Sequence, residues 1–546
     1  PVINGPFDPP VRHFEIGPQG PTGTVLDGRR HSESWIPIPA ARKGKAKGAV
    51  EQVSLDFDVT GERREQNTLI NDIRREVERW RLTYNGVTPI TRKLLEHWAD
   101  ESRGDERVLF CQREAAETAI YLAEVAHKQT GKVGWKGRVD EANAVHNADL
   151  PRVALKMATG SGKTVVMAML IAWQTLNHAY NPHDPRYTDR FLVVTPGITI
   201  RNRLRVLLPS DDENYYRLRD LVPADLWPSL STARVAITNY HTFLPRDRPE
   251  IRGVASRTRQ ILTQGKAVDP FKETDDDVVT RVLKDLGLSG SKARSGPRLM
   301  VLNDEAHHCY QDKPLEVTDK LDSETQERNA EARVWFKGLQ AIARRVGIKT
   351  IYDLSATPYY LGGSGYAEGF IFPWTVSDFS LMDAIESGIV KVPRFPVDDD
   401  ATGPQVTYLR LWDAVGKELP KRRPRSAVEG IGWTPPGALQ GAMESLYRSY
   451  VRSWEHYERE LAAFGEPPPV FIVVCPNTAV SKLIYDWIAG REDVDPNGDR
   501  VVLGGSLPLF SNVEDGRWVD RPRTLLIDSA QIESGESLRE DFKRAA

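Results

Sequence analysis

Five short apolar runs, Val153 to Leu155, Phe191 to Val194, Val235 to Ile237, Leu299 to Leu302 and Ile351 to Leu354, recur along the middle of the chain with helical patterns between them. Runs that are apolar throughout, rather than alternating, are buried on both faces, and crossovers long enough for a helix are what a parallel sheet demands. The reading is a doubly wound α/β domain. One intervening stretch, Trp335, Leu339, Ile342 and Val346, has helical spacing. Another, Val165 to Trp173, is the longest wholly apolar run. It is well short of the ~20 residues of a membrane span and reads as a buried helix.

With 546 residues the chain exceeds one ordinary domain, and ~150 residues per domain gives about three. A charged fraction of 27% nets to only -3, so any nucleic-acid footprint has to be local rather than global. The cysteines, Cys111, Cys309 and Cys475, are far apart and have no zinc-ligand spacing, which fits a reducing cytoplasm. Residues 1 to about 60 are rich in turn signals and carry a basic Arg42 to Lys47 stretch, so an irregular arm is expected, with one strand from the alternation Val53, Leu55, Phe57, Val59. Leu69, Ile70, Ile73, Val77 and Trp80 predict an amphipathic helix from about Gln66 to Leu82. A polar insertion over 245–297 holds one helix ending at Gly287. A second α/β pattern follows Pro467-Pro468-Pro469, with strand candidates Phe471 to Val474, Val501 to Leu503 and Leu525 to Ile527.

The segment Ala158-Thr159-Gly160-Ser161-Gly162-Lys163-Thr164 joins the Val153 strand to the Val165 helix. A tight turn there aims successive backbone N–H groups at phosphate oxygens, with the positive end of the helix dipole behind them. Gly160 and Gly162 permit close approach, Lys163 supplies a point charge for the β- and γ-phosphates, and Thr164 a hydroxyl for Mg2+. Where the general pattern has a further glycine, this chain has Met157. Asp304-Glu305-Ala306-His307 follows the Leu299 strand and so lies at the same sheet edge. Asp304 is expected to hold Mg2+ through a water, and Glu305 to orient or deprotonate the attacking water. Together the two segments point to ATP hydrolysis. The adjacent His307, His308 and Cys309 cannot all face one ion, so coupling or packing is expected of them rather than metal binding. Ser355-Ala356-Thr357-Pro358 adds two hydroxyls at that edge.

In this order the three segments resemble motifs I, II and III of the DExH-type ATPases of helicase superfamily 2. Phe110-Cys111-Gln112-Arg113-Glu114 is similar to the adenine-recognising Q motif, which makes Gln112 the candidate for base selectivity; read without the family, it is a polar residue at a helix start. Val194-Thr195-Pro196-Gly197 and Thr238-Asn239-Tyr240-His241 sit where motifs Ia and Ic contact a nucleic-acid backbone, although turn formation explains both equally well. The wording of these segments, with Leu302 to Tyr310 and Trp35-Ile36-Pro37-Ile38-Pro39, is most similar to the motor subunit of type III restriction enzymes and related restriction endonucleases.

The resemblance implies RecA-like domains, the first complete and the second partial. Their expected bounds are an N-terminal α+β extension over 1–106, a first domain over 107–376, a connector over 377–466 and the start of a second domain over 467–546. It implies a translocase using ATP and Mg2+ on double-stranded DNA, working with a modification (methyltransferase) subunit and no membrane. The nucleotide site would comprise Gln112, Thr159, Gly160, Ser161, Gly162, Lys163 and Thr164, with Thr164 and Asp304 on the metal. Glu305, Lys163, His307, Ser355 and Thr357 would serve catalysis and its coupling. No segment resembling motif VI occurs, and Asp398-Asp399-Asp400 lacks the partners of a nuclease centre, so the chain is not expected to cut DNA. The basic Lys421 to Arg425 cluster reads first as a solvated linker and second as a DNA contact. Rival readings are an RNA helicase or remodelling factor, a nucleotide-switched binding module without turnover, and a phosphate-loop enzyme of small molecules.

Overall fold

The computed structural model describes residues 2–17, 20–39, 59–126, 134–148, 150–247, 272–288, 298–311, 323–360, 364, 366, 369–393, 411, 415–420, 433–494 and 500–527. The chain forms two compact units, Pro1–Val392 and Pro393–Ala546.

In the first unit, six strands form one sheet in the order β10-β5-β9-β8-β6-β7, parallel throughout: β5 Arg152–Met157, β6 Arg190–Thr195, β7 Arg234–Asn239, β8 Leu299–Asp304, β9 Ile348–Ser355 and β10 Thr375–Phe379. All five expected strands are present. Successive residues serve opposite faces: Phe191 and Val193, like Met300 and Leu302, join a core with the helices α3 Phe110–Ile120 and α5 Lys163–Tyr180. Leu192, Val194, Leu299 and Val301 join another, with Trp335, Leu339 and Ile342 of the helix Ser323–Val346 and Val278, Val279 and Val282 of the helix Asp275–Val282. Covering both faces is what made the runs continuously apolar. This is the RecA-like α/β core. The sixth strand, β10, was not expected, because Ser377 and Asp378 interrupt its apolar pattern, and it carries the sheet past residue 376.

Helix α5 is buried from Val165 to Asn177, which accounts for its lack of a polar face. The predicted amphipathic helix is α1, Thr68–Arg81, burying Ile70, Ile73, Val77 and Trp80. The insertion helix Asp275–Val282 opens with a Thr274/Asp277 capping box, and a further turn ends at Gly287 with φ +67°.

The N-terminal extension is more regular than an arm. Strands β1 Arg12–Gly17 and β2 Gly20–Asp27 pair antiparallel, as do β3 Glu33–Pro39 and β4 Val59–Gln66. The turn signals there mark hairpin ends rather than irregular chain. Of the predicted Val53 to Val59 strand only Val59 lies within the described residues, and the Arg42 to Lys47, Asp398 to Asp400 and Lys421 to Arg425 runs lie outside them.

In the second unit the helices Gly437–His456 and Thr478–Ala489 share a core of Leu439, Met443, Val480, Ile484, Trp487 and Phe510. Asn477 caps the second helix, accepting from Ala479 N and Val480 N. Its described strands pair antiparallel, β11 Gly490–Val494 with β12 Arg500–Gly504 and β13 Val513–Glu514 with β14 Arg517–Trp518. The parallel strands expected at Phe471 to Val474 and Leu525 to Ile527 do not form among the described residues. Phe471, Val473 and Cys475 pack on the core, whereas Val470, Ile472 and Val474 are 76%, 77% and 90% exposed, so that segment has a buried face on one side only.

Candidate active site

Strand β5 ends at the fully buried Met157, whose side chain fills core where the general phosphate-loop pattern has glycine. The chain then turns through Thr159 and Gly160, both exposed, to Gly162 at the start of α5. Gly160 and Gly162 have φ of +84° and +86°, in the left-handed region that side chains resist. Ser161 is fully buried, its Oγ donating to the Ala158 carbonyl at 2.6 Å, which closes the turn. Lys163 and Thr164 are the first two residues of an 18-residue helix, where unpaired N–H groups and the helix dipole favour an anion.

Gln112 lies in the first turn of α3. Its Oε1 accepts from Leu109 N at 3.0 Å and its Nε2 donates to the Ser161 carbonyl at 3.0 Å. It is thus a strut between helix and loop, with one N–H and one lone pair left for a base. A Cβ on Gly162 would come within 2.2 Å of Gln112 Nε2, so the second glycine is required by the strut as well as by its own φ. The neighbouring Cys111 thiol is buried and pushed up to about 12, which keeps it inert.

The acidic segment faces this loop from the end of β8. Asp304 is 7% exposed, and burial, followed by the charge of Glu305, raises its carboxyl to about 6. Glu305 adopts φ +50°, a conformation that costs a non-glycine residue about 1 kcal/mol or more and is commonest at functional sites. Its Oε1 lies 2.8 Å from Lys163 Nζ. Its Oε2 lies 3.6 Å from His307 Nδ1, which is 2.9 Å from Ser355 Oγ. Burial, with His308 beside it, lowers His307 to about 4, so its ring is neutral at pH 7. Ser355 Oγ also accepts from Thr357 N at 3.1 Å. Lys163, Glu305, His307, Ser355 and Thr357 therefore form one chain of contacts. Among the described residues no group of three His, Cys, Asp or Glu side chains is arranged to hold a metal, and Cys309 is buried with its thiol raised to about 12.

The motif Ia and Ic segments are mixed in burial: Pro196, Gly197 and Thr238 are half-buried and His241 is exposed. Thr195 is fully buried, and Thr238 and Asn239 both bond to Thr242.

A buried network beneath this edge went unseen in the sequence. Asp353 in β9 accepts from Arg152 Nε at 2.7 Å, from Trp374 Nε1 at 2.8 Å and from Asn303 Nδ2 at 2.8 Å. Three strands are thereby tied by side chains just before Asp304 and Ser355 emerge. Charged residues inside otherwise apolar strands, Arg152 and Asp353 above all, were the signal available.

The residues present suit a Mg-nucleotide: a helix start and Lys163 for phosphate, a hydroxyl at Thr164, and at Asp304 a carboxyl whose ionisation is held back by burial and would be favoured by a cation. No helix among the described residues is long and apolar enough to cross a membrane. A comparison with curated proteins gave no match. Residues 111–359 match the family model described as type III restriction enzyme, res subunit. The matched stretch includes Gln112, the phosphate loop, the Asp-Glu-Ala-His segment and Ser355 to Pro358, and over those residues the chain is similar to the res subunit of type III restriction enzymes, which indicates a helicase-like ATPase motor.

Proposed function

We propose that the chain is the ATP-driven core of a DNA translocase of the type III restriction kind. The observation that carries this reading is the meeting of Lys163 with Glu305 at one edge of the sheet, beside Asp304 and the glycine turn. The N–H groups at the start of α5 and the Lys163 ammonium receive the β- and γ-phosphates of ATP. Mg2+, held by Thr164 and Asp304, supplies charge neutralisation on those oxygens when bound. Glu305 orients the attacking water and takes its proton as the terminal phosphoryl group passes to it, giving ADP and phosphate. Lys163 leaves Glu305 to meet the phosphate, which frees the carboxylate for the water only once nucleotide is in place. Gln112 reads the base with its remaining amide capacity. His307 and Ser355 carry the state of the site to Thr357 and the turn beyond it, and so to a second RecA-like domain and duplex DNA. The intact system works in the cytoplasm with a methyltransferase subunit.

The test is the ATPase rate of the chain with duplex DNA, with RNA and with neither. Stimulation by duplex DNA that disappears in Lys163→Ala supports the reading. Stimulation by RNA alone would make it an RNA helicase, and binding without turnover a nucleotide-switched module.

A further inference from the structure

The phosphate loop has two buttresses outside its own strand and helix. On one side Gln112 of α3 holds the Ser161 carbonyl. On the other, a Cβ on Gly160 would lie 3.3 Å from the side chain of Val390, just after the helix Leu381–Glu386. Residues of the N-terminal extension link the two. Arg29 makes a double ion pair with Glu114, on the same helix as Gln112, its Nη2 lying 2.6 Å from Oε2. The next residue, Arg30, pairs with Glu386. Both acids are buried, Glu114 at 5% and Glu386 at 1% exposure.

Shorter contacts from the same extension follow the same path. Phe14 N donates to Glu386 Oε1 at 3.0 Å, and Ile3 N and Asn4 N donate to the Glu386 carbonyl at 2.9 and 3.0 Å. Pro6 accepts from Phe110 N at 2.9 Å, at the start of α3. Ser32 Oγ donates to Asp378 at 2.6 Å, and that carboxylate also holds Lys156 of β5 at 2.6 Å. The extension therefore grips the base of the loop's strand and both of its flanks.

We propose that Arg29 and Arg30 are positioning residues for the nucleotide site, fixing the spacing of the two buttresses and so the placement of the loop between Gly160 and Gly162. The inference rests on that loop being a nucleotide site, as proposed above. Two features give it force. A phosphate cradle works only when its donors sit within about 0.5 Å of their target positions. A guanidinium fork fixes direction as well as charge, which a lysine ammonium does not.

The experiment uses the full chain, titrated with a fluorescent ATP analogue in Mg2+ and followed by amide hydrogen exchange. Arg29→Lys and Arg30→Lys keep the charge, so neither buried acid is orphaned, and Glu386→Gln independently removes the acid's charge while its amide oxygen still accepts from Phe14 N. The expected result is a nucleotide affinity about fivefold or more weaker in Arg30→Lys and Glu386→Gln, with exchange faster at residues 158–163 and unchanged in β8 and β9. Combining Arg30→Lys with Val390→Ala should then add little, because both act through one buttress. Affinity within twofold of the parent in folded variants overturns the proposal, as does exchange that rises evenly along the chain, which marks stability alone. Parent and Lys163→Ala proteins that bind equally weakly overturn the nucleotide reading itself; a tight parent with a weak Lys163→Ala leaves the clamp judged by its own variants.

Discussion

Lys163 Nζ and Glu305 Oε1 lie 2.8 Å apart, so the cation proposed for phosphate and the carboxylate proposed for water form an ion pair. On the proposed function, nucleotide binding would exchange one anionic partner of Lys163 for another. The pair is partly exposed, at 12% and 29%, which keeps its strength modest and the exchange easy.

Glu305→Gln should therefore bind nucleotide more tightly, by roughly threefold to tenfold, because the competitor for Lys163 is gone. Turnover should fall by about 100-fold or more with the loss of the base. Fluorescent-nucleotide titration beside a phosphate-release assay measures both, and weaker binding in this variant would refute the exchange.

Gly162→Ala should lose nucleotide binding. The new methyl group falls within 2.2 Å of Gln112 Nε2 and sits at φ +86°, so either the strut or the turn must yield. A cost of about 1–3 kcal/mol in stability accompanies it. Gly162→Ala with Gln112→Ala relieves the clash but not the φ, so the double variant should regain part of the thermal stability and little of the binding.

Mg2+ dependence should carry a step near pH 6. Asp304 is raised from 3.8 to about 6, so below that pH a proton occupies the carboxyl proposed for the metal. Apparent Mg2+ affinity should fall by up to about tenfold per pH unit below 6 and be flat above 7. For folding the sign is opposite: a raised acid contributes stability that is full below about 3.8 and lost as pH rises through 6. Mg2+ titrations of nucleotide binding between pH 5 and 8 would show the step, and Asp304→Asn should abolish it.

Acid should loosen the N-terminal extension before the sheet. Burial alone would raise Glu114, but Arg29, with Arg74 and Arg81 behind it, outweighs burial and holds the carboxyl down at about 2 from 4.5. A depressed acid contributes stability above 4.5 that is lost as pH falls towards 2. The amount is on the order of 3 kcal/mol. Hydrogen exchange at residues 20–34 between pH 5 and 2.5 should rise ahead of β8, and an extension that holds until the sheet unfolds would contradict this.

The sheet was legible because its strands are buried on both faces and therefore apolar without interruption. The site was legible because backbone turns at strand ends need particular residues: Gly160 and Gly162 for positive φ, and Asp304 at the carboxyl edge. What stayed hidden depends on partners far away in sequence. Asp378 broke the pattern of β10 until Lys156 and Ser32 were seen to satisfy it, and nothing near Arg29 announces Glu114. Of the hairpin strands, β2 is almost wholly exposed and β1 at most half-buried, so hydrophobic periodicity does not mark them. At Phe471 to Val474 the opposite occurred: apolar residues on both faces promised a buried strand, and one face lies open.

The network centred on Asp353 bears on how force could leave the site. Strands β5, β8 and β9 are stitched together by a buried set of charged and amide groups, and sliding β5 past β9 by a residue would part the Arg152 guanidinium from the Asp353 carboxylate in the interior. The sheet thus behaves as an anvil. Under the proposed motor function, displacement driven by nucleotide would fall on the turns beyond these ties, from Glu305 to Tyr310 and from Ala356 to Tyr360.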